Sequence, residues 1–360
     1  MGDELRGKPG LTDDVEGTVA VDAETPLDRA LAAMGAAGTG VAVIRGEGGV
    51  AIGTVTDGEL RAAVLDGAGD DVPVGEVRHG EPVWVRPGAT DAAVAELLTR
   101  HHLDVVPVLD GDRVVGVRRA ADVGVVPTPT TAVLLVGGRG SRLAPLTDKV
   151  PKPLLAIGGR TILERILDNL AVAGITDVHL AVNYLAEVFE ERLGDGAEAG
   201  VHLTYLHERE PLDTAGALSL IPHTPAGPVL VLNADQITSL PFARLVEHHT
   251  RTGAAITVAS FDHEVEVPYG VLRLEGATIT GIEEKPTLRM PCNAGIYVLD
   301  PSLLALVPPA TPYQMPALIA EAMGRGMQVS AFPIVERFID IGTRDELDKA
   351  LLWFATGEER

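Results

Sequence analysis

The run from Thr131 to Val136, TAVLLV, followed at once by Gly137-Gly138-Arg139-Gly140, limits the possible folds more than any other stretch. A continuous apolar run bounded by glycines suits a strand buried on both faces, the environment of a parallel sheet. The glycines let the chain turn without Cβ atoms, so that backbone N–H groups can approach a phosphate. Strand patterns recur at 176–182 (TDVHLAV), 201–206 (VHLTYL), 228–232 (PVLVL), 254–260 (AAITVAS) and 294–299 (AGIYVL). Helical patterns such as FARLVEHHT (242–250) and MPALIAEAMG (315–324) stand between them. Thr161 and Glu164 have capping-box spacing, with Ile162, Ile166 and Leu170 on one helical face and Gly174 as the stop. This alternation predicts an α/β fold with a mostly parallel sheet, covered by helices and binding ligands beyond its strands' carboxyl ends.

The chain of 360 residues has room for two domains. Its net charge of −22, from 51 acidic and 29 basic residues, repels a polyphosphate backbone and argues against a nucleic-acid partner. An anionic small substrate must therefore be captured by a few local cations and a metal. The single cysteine, Cys292, excludes an internal disulfide and a multi-cysteine zinc site. The first residues, MGDELRGKPG, have no apolar core and so predict no signal peptide. No apolar run reaches the ~18 residues of a membrane span, so a cytoplasmic location without membrane attachment is expected.

The segment VVPTPTT (125–131) reads as a linker, because Pro127 and Pro129 remove backbone donors and favour extended geometry. The division falls at 127–130, between a unit at 1–126 and another at 131–360. The first unit contains an internal repeat. Aligning Thr25 with Thr90 also aligns Val41-Ala42-Val43 with Val106-Pro107-Val108, and Gly53 then corresponds to Gly116 after a two-residue difference in the hairpin turn. Each copy predicts a helix followed by a strand, a Gly/Asp turn and a second strand, with Thr25 and Thr90 as N-caps and Pro26 at the first helical position. Over about residues 15–125 this resembles a tandem pair of cystathionine-β-synthase (CBS) domains, an α+β arrangement. The resemblance implies an adenosine-nucleotide effector, or else a structural pair that makes a homodimer or higher oligomer. Departures touch the effector: Glu59 follows Gly53 and Thr56 where Asp is commoner, and Arg119 stands for Thr between Gly116 and Asp122.

The segment 134–155, LLVGGRGSRLAPLTDKVPKPLL, carries the phosphate chemistry. It is not a Walker A loop, which needs Gly where Arg142 stands. Nor is it a dinucleotide fingerprint, which needs a third Gly where Leu143 stands. It resembles the signature of the sugar-nucleotide pyrophosphorylases at Gly137, Gly138, Gly140, Ser141, Arg142, Leu143, Pro145, Leu146, Thr147, Pro151, Lys152 and Pro153. Further motifs follow in that family's order: EREPLDTAGAL (208–218), NADQ (233–236), PYGV (268–271), EEKP (283–286), CNAGIYVLD (292–300) and FIDIGTRDEL (338–347). The resemblance covers 131–360 and implies a Rossmann-like, GT-A-like nucleotidyltransferase domain. Its reaction joins a nucleoside triphosphate to a sugar or cyclitol 1-phosphate and releases pyrophosphate.

Residue by residue, the resemblance implies that Arg142 and Lys152 hold the triphosphate and departing pyrophosphate, and that Lys285 contacts the sugar phosphate. Gly137, Gly138, Gly140, Ser141, Glu208, Asp213, Thr214 and Gly216 would line the nucleotide pocket. Tyr269, Gly270, Glu284, Asn293 and Gly295 would face the sugar or cyclitol. Asp235 and Asp340 would bind Mg²⁺, which takes oxygen ligands and few protein carboxylates. Asp213 replaces a Gly near the expected base pocket; its carboxylate would accept from guanine if it faces the base and would be only a turn residue if it points outward. A CBS pair ahead of such a transferase resembles architectures that make activated sugars, several of them with GTP, so guanylyl transfer is the first expectation, with thymidylyl, cytidylyl and adenylyl transfer as alternatives. Gln314 and Phe338 also replace commoner Asp and Trp. The pairs His101-His102 and His248-His249 read as packing or surface residues. The chain ends soon after the last motif, so no C-terminal acyltransferase domain is expected. The rival reading is a regulatory protein that senses nucleotide without turnover.

Overall fold

The computed structural model describes residues 17–77, 80–125 and 128–355. The N-terminal unit runs β1 (Ala20–Asp22), α1 (Leu27–Ala37), β2 (Val41–Arg45), β3 (Ala51–Thr56), α2 (Asp57–Leu65), α3 (Asp91–His101), β4 (Val105–Asp110) and β5 (Arg113–Arg119). The C-terminal unit opens with β6 (Thr131–Leu135), β7 (Ala156–Ile157), β8 (Arg160–Thr161), α4 (Ile162–Val172), β9 (Asp177–Val182), α5 (Ala186–Leu193) and β10 (His202–His207). Next come α6 (Asp213–Gly216), β11 (Val229–Asn233), β12 (Gln236–Thr238), α7 (Phe242–Thr252), β13 (Ile256–Glu266), β14 (Val271–Glu275) and β15 (Thr278–Glu283). It closes with β16 (Thr287–Leu299), α8 (Met315–Gly324), β17 (Val329–Pro333), β18 (Phe338–Asp340) and α9 (Arg344–Ala355).

The large sheet has the order β10-β9-β6-β11-β16-β13-β17. Its pairings are parallel except at β16, which runs antiparallel to both neighbours. The apolar run at β6 is buried on both sides, as its composition predicts. Ala132 and Leu134 pack into one core with Ile166, Leu170 and Phe242, while Val133 packs into the other with Tyr297, Met315 and Leu318. The α4 capping box forms: Thr161 Oγ1 accepts from Glu164 N at 3.1 Å, and Thr161 N donates to the Glu164 carboxylate at 2.8 Å. Gly174, at φ 73°, ends that helix.

In the N-terminal unit, α1-β2-β3 and α3-β4-β5 repeat the same helix-plus-hairpin plan. Val43 faces Thr54 and Val108 faces Gly116 in the two antiparallel hairpins. Thr90 caps α3, accepting from Ala93 N at 3.3 Å. Thr25 does not cap α1. The helix starts at Leu27, after an extended Pro26 at φ −60° and ψ 145°. The Thr25 carbonyl instead accepts from Val74 N at 2.9 Å, which draws this residue out of the helical turn. Of the predicted linker, Thr128 to Thr130 lead into β6, whereas Val126 and Pro127 lie outside the described residues.

The two units meet through two buried arginines. Arg244 of α7 donates to Asp104 Oδ1 and Oδ2 at 2.8 and 2.7 Å, to Gly38 O at 3.2 Å, and to Glu247 Oε2 at 2.5 Å. Burial pushes the Glu247 carboxyl up to about 8, against the opposing pull of Arg244. An unfolded Glu titrates near about 4.3. Between these values the folded chain holds a proton that the unfolded chain releases, so this group's contribution falls as pH rises from about 4.3 to 8. Glu247→Gln is expected to flatten that part of the stability–pH curve, measured by urea melts at pH 5.5, 6.5, 7.5 and 8.5. An unchanged slope would refute it.

The second histidine pair packs into the fold. His249 is buried with Nδ1 3.0 Å from Thr257 Oγ1, and His248 meets the Phe332 ring edge-on at 5.2 Å.

Candidate active site

β6 pairs with β9 on one side and with β11 on the other, so the topology switches at the carboxyl ends of β6 and β11. A crevice is expected at such a point. It is there, a cleft of about 430 Å³ lined by Gly137, Gly138, Gly140, Ser141, Arg142, Lys152, Glu208, Asp213, Thr214 and Asp235. Gly140 is at φ 59°, and a Cβ there would come within 3.1 Å of Lys152 Cβ and Thr147 Cγ2. The tight turn therefore needs glycine both for its backbone and to let Lys152 in. Ser141 to Leu143 form a single 3₁₀ turn that carries Arg142, whose guanidinium lies over Gly342.

Lys152 is buried, and its Nζ stands 2.7 Å from Asp235 Oδ2. Asp235 follows β11, and β12 then pairs with β18 so that Gln236 faces Asp340. Ile341 N donates to Asp235 O at 3.0 Å, tying the two acidic segments together. Desolvation first, and the Asp235 charge second, hold the Asp340 carboxyl above its usual range. Two mutually repelling carboxylates with oxygen-only donors fit Mg²⁺, which keeps several waters and takes phosphate oxygens besides. Among the described residues no cluster of three or more His, Cys, Asp or Glu offers a rival metal site.

Among the residues expected at the nucleotide, Glu208 accepts from Leu212 N at 2.9 Å, and burial and the nearby Asp213 raise its pKa. Asp213 has φ 59°, a left-handed backbone that glycine adopts most easily and Asp better than most. This accounts for the glycine commonly found in the resembling motif. Thr214 Oγ1 accepts from Met315 N at 2.8 Å, fixing the loop to the start of α8. Gly216 does not line the cleft. A Cβ there would come within 3.0 Å of Leu212 Cβ and 3.2 Å of Tyr313 N, so its absence serves packing.

The sugar-side residues are not gathered with the others. Tyr269, Gly270, Glu284 and Lys285 flank the exposed β14–β15 hairpin and do not line the cleft. Lys285 is left-handed at φ 47°, with its N–H 3.3 Å from Tyr269 O. Asn293 bonds within the protein at both ends, to Tyr297 OH at 2.8 Å and Gly295 N at 2.8 Å. Gly295, at φ 71°, lets the Asn233 amide pass close by. Asn233, Pro211 and Gly342 also line the cleft and went unselected. All three lie inside the quoted motifs, which were signal enough to find them.

Gly138 separates a binding role from a folding one. Its φ is not left-handed, and an added Cβ would meet no protein atom within 4 Å. Gly138→Ala should leave stability within about 0.5 kcal/mol. It should raise the KM for nucleotide about tenfold by keeping phosphate from the loop. A urea melt and initial rates check both halves, and an unchanged KM would remove Gly138 from the phosphate loop.

A glycine turn, a buried lysine paired with a partly exposed aspartate, and an arginine beside them at the switch point of a mostly parallel sheet define a nucleotide-handling α/β protein. Residues 131–354 match the nucleotidyl transferase family and residues 74–117 match the CBS domain. The chain belongs to the nucleotidyl transferase family. It is 40% identical over 183 residues to a mannose-1-phosphate guanyltransferase of Yarrowia lipolytica, covering 49% of this chain and 50% of that one. A protein of the same name from Schizosaccharomyces pombe is 36% identical over 235 residues, covering 62% and 64%. The chain thus spans about half to just under two thirds of these curated relatives. Among solved structures, a putative glucose-1-phosphate thymidylyltransferase from Bacillus anthracis, in complex with a sucrose, aligns with a TM-score of 0.52 at 25% identity, covering 62% of this chain and 95% of that one. Among the described residues no helix is long and apolar enough to cross a membrane.

Proposed function

We propose that this chain transfers a nucleotidyl group from a nucleoside triphosphate to a sugar 1-phosphate and releases pyrophosphate, with GTP and mannose 1-phosphate as the favoured pair. The observation that carries the reading is the Lys152–Asp235 pair, at 2.7 Å, beside the glycine turn in the switch-point cleft. Arg142 and Lys152 receive the triphosphate, the first as a planar fork and the second as a point charge. The backbone N–H groups of Gly137 and Gly138 approach its oxygens. A phosphate oxygen of the sugar 1-phosphate, already ionised, attacks the α-phosphorus. The bond from that phosphorus to the leaving pyrophosphate breaks, and no proton need move. Positioning and fixed charge do most of the work in such transfers. Asp235 and Asp340 would hold Mg²⁺, which when bound neutralises phosphate charge.

Guanine is favoured because the curated relatives bear guanyltransferase names and because Asp213 lines the cleft, where its carboxylate can accept from guanine N–H groups. We read residues 1–126 as a tandem CBS pair, 127–130 as the linker and 131–360 as the transferase. The deciding experiment measures pyrophosphate release with each nucleoside triphosphate against mannose, glucose and cyclitol phosphates. Turnover with GTP and mannose 1-phosphate is expected. Nucleotide binding without turnover on any acceptor would favour a sensor instead.

A further inference from the structure

Arg61 of α2 carries its side chain at 1% exposure into the seam between the two units. On its own helix it grips Asp57, through Nε to Oδ1 at 2.9 Å and Nη2 to Oδ2 at 3.0 Å. Across the seam Nη1 donates to Pro333 O at 2.8 Å and to Glu336 Oε2 at 3.2 Å, and Nη2 donates to Glu336 Oε1 at 2.5 Å. Its guanidinium also lies 4.3 Å from the centroid of the Phe332 ring. Val335 packs against the N-terminal core. The end of β17 is thus held by a ring and a carbonyl, and its connection to β18 by an apolar side chain and a carboxylate, all against the N-terminal unit.

β18 starts at Phe338, two residues after Glu336, and ends at Asp340. It has three residues and pairs with β12 in a two-stranded sheet. So short a ribbon has little stability of its own, and its position depends on what holds its approach. Just before it, Arg337 O accepts from Thr238 Oγ1 at 3.0 Å, which relays the position of the anchored segment to β12 and Asp235.

We infer that Arg61 is a positioning residue for the Asp235–Asp340 carboxylate pair, so that the N-terminal unit sets the geometry at which the transferase site holds its divalent cation. This rests on the reading of that pair given under Proposed function. Mg²⁺ and Mn²⁺ bind short and with strict geometry, so a small drift of β18 weakens the site. Arg244, the other buried arginine of the seam, grips Asp104, Gly38 and Glu247, and none of these leads to Asp340.

The test uses the full chain with Mn²⁺ as probe. Arg61→Ala is expected to weaken Mn²⁺ binding, read by electron paramagnetic resonance, about tenfold, as loss of a supporting contact does at metal sites. Hydrogen exchange of the Ile341 amide should quicken in parallel. Arg61→Lys should recover only part of the affinity, because an ammonium keeps the charge but not the fork. Glu336→Gln, which keeps the contact to Pro333 O, should fall between the two, and these two variants carry the test if Arg61→Ala does not fold. A lowered melting temperature with Mn²⁺ affinity and Ile341 exchange unchanged would overturn the inference. If the wild type binds Mn²⁺ yet releases no pyrophosphate from any substrate, the proposed function fails, while weakened Mn²⁺ binding in the variants still supports the positioning role.

Discussion

Asp235→Asn is expected to lower pyrophosphate release by about 10²–10³-fold while the fold persists. The substitution keeps the shape and removes one charge from a carboxylate whose Oδ2 lies 2.7 Å from Lys152 Nζ. Two losses coincide. The proposed cation site loses half of its carboxylate pair, and the buried Lys152 loses the anion that holds it in place. The backbone bond from Ile341 N to Asp235 O does not involve the side chain, so β12 and β18 should remain paired. Turnover and a thermal melt on the same preparation check the claim. Near-wild-type turnover would sink the assignment of this pair to the chemistry.

The second large effect concerns stability. Arg244→Ala should cost about 1–3 kcal/mol, because it removes a buried guanidinium together with its hydrogen bonds to Gly38 O, Asp104 and Glu247. The Arg244 side chain is 5% exposed and answers two carboxylates at once, on Asp104 and Glu247. Its departure also removes the charge that opposes the upward shift of Glu247. The variant should therefore hold the Glu247 proton to still higher pH, and its stability should go on falling above about pH 8 where the wild type levels off. Urea denaturation across that pH range tests both parts. A loss below about 0.5 kcal/mol, the size of an ordinary surface change, would show that the seam does not depend on this clamp.

Much of the fold was legible because its signals are local. The β6 run, the Thr161–Glu164 box and the repeated helix–hairpin plan each depend on neighbours within a few residues, where periodicity and capping act. The glycine turn was legible for the same reason. Thr25 was misjudged as a cap because its backbone is claimed by Val74, far along the chain. Gly216 was expected in the nucleotide-pocket lining, and only the approach of Thr311 O, Leu212 Cβ and Tyr313 N shows its packing role. Asp213 could be flagged as a departure, but its left-handed backbone is a property of the folded loop.

By itself, then, the sequence determined the α/β class, the order of the motifs and the kinds of group they carry. Tertiary structure decided which of those groups stand together. It joined Lys152 to Asp235 across 83 residues, and left Tyr269, Glu284 and Lys285 on a hairpin away from the cleft lining. It also made Arg61 and Arg244, which no sequence motif marks, into the clamps of the seam. Their partners lie up to 275 and 206 residues away, so no local pattern could mark them. Burial and long-range charge pairing arise only when distant segments are brought to one place, and that is what the fold supplies.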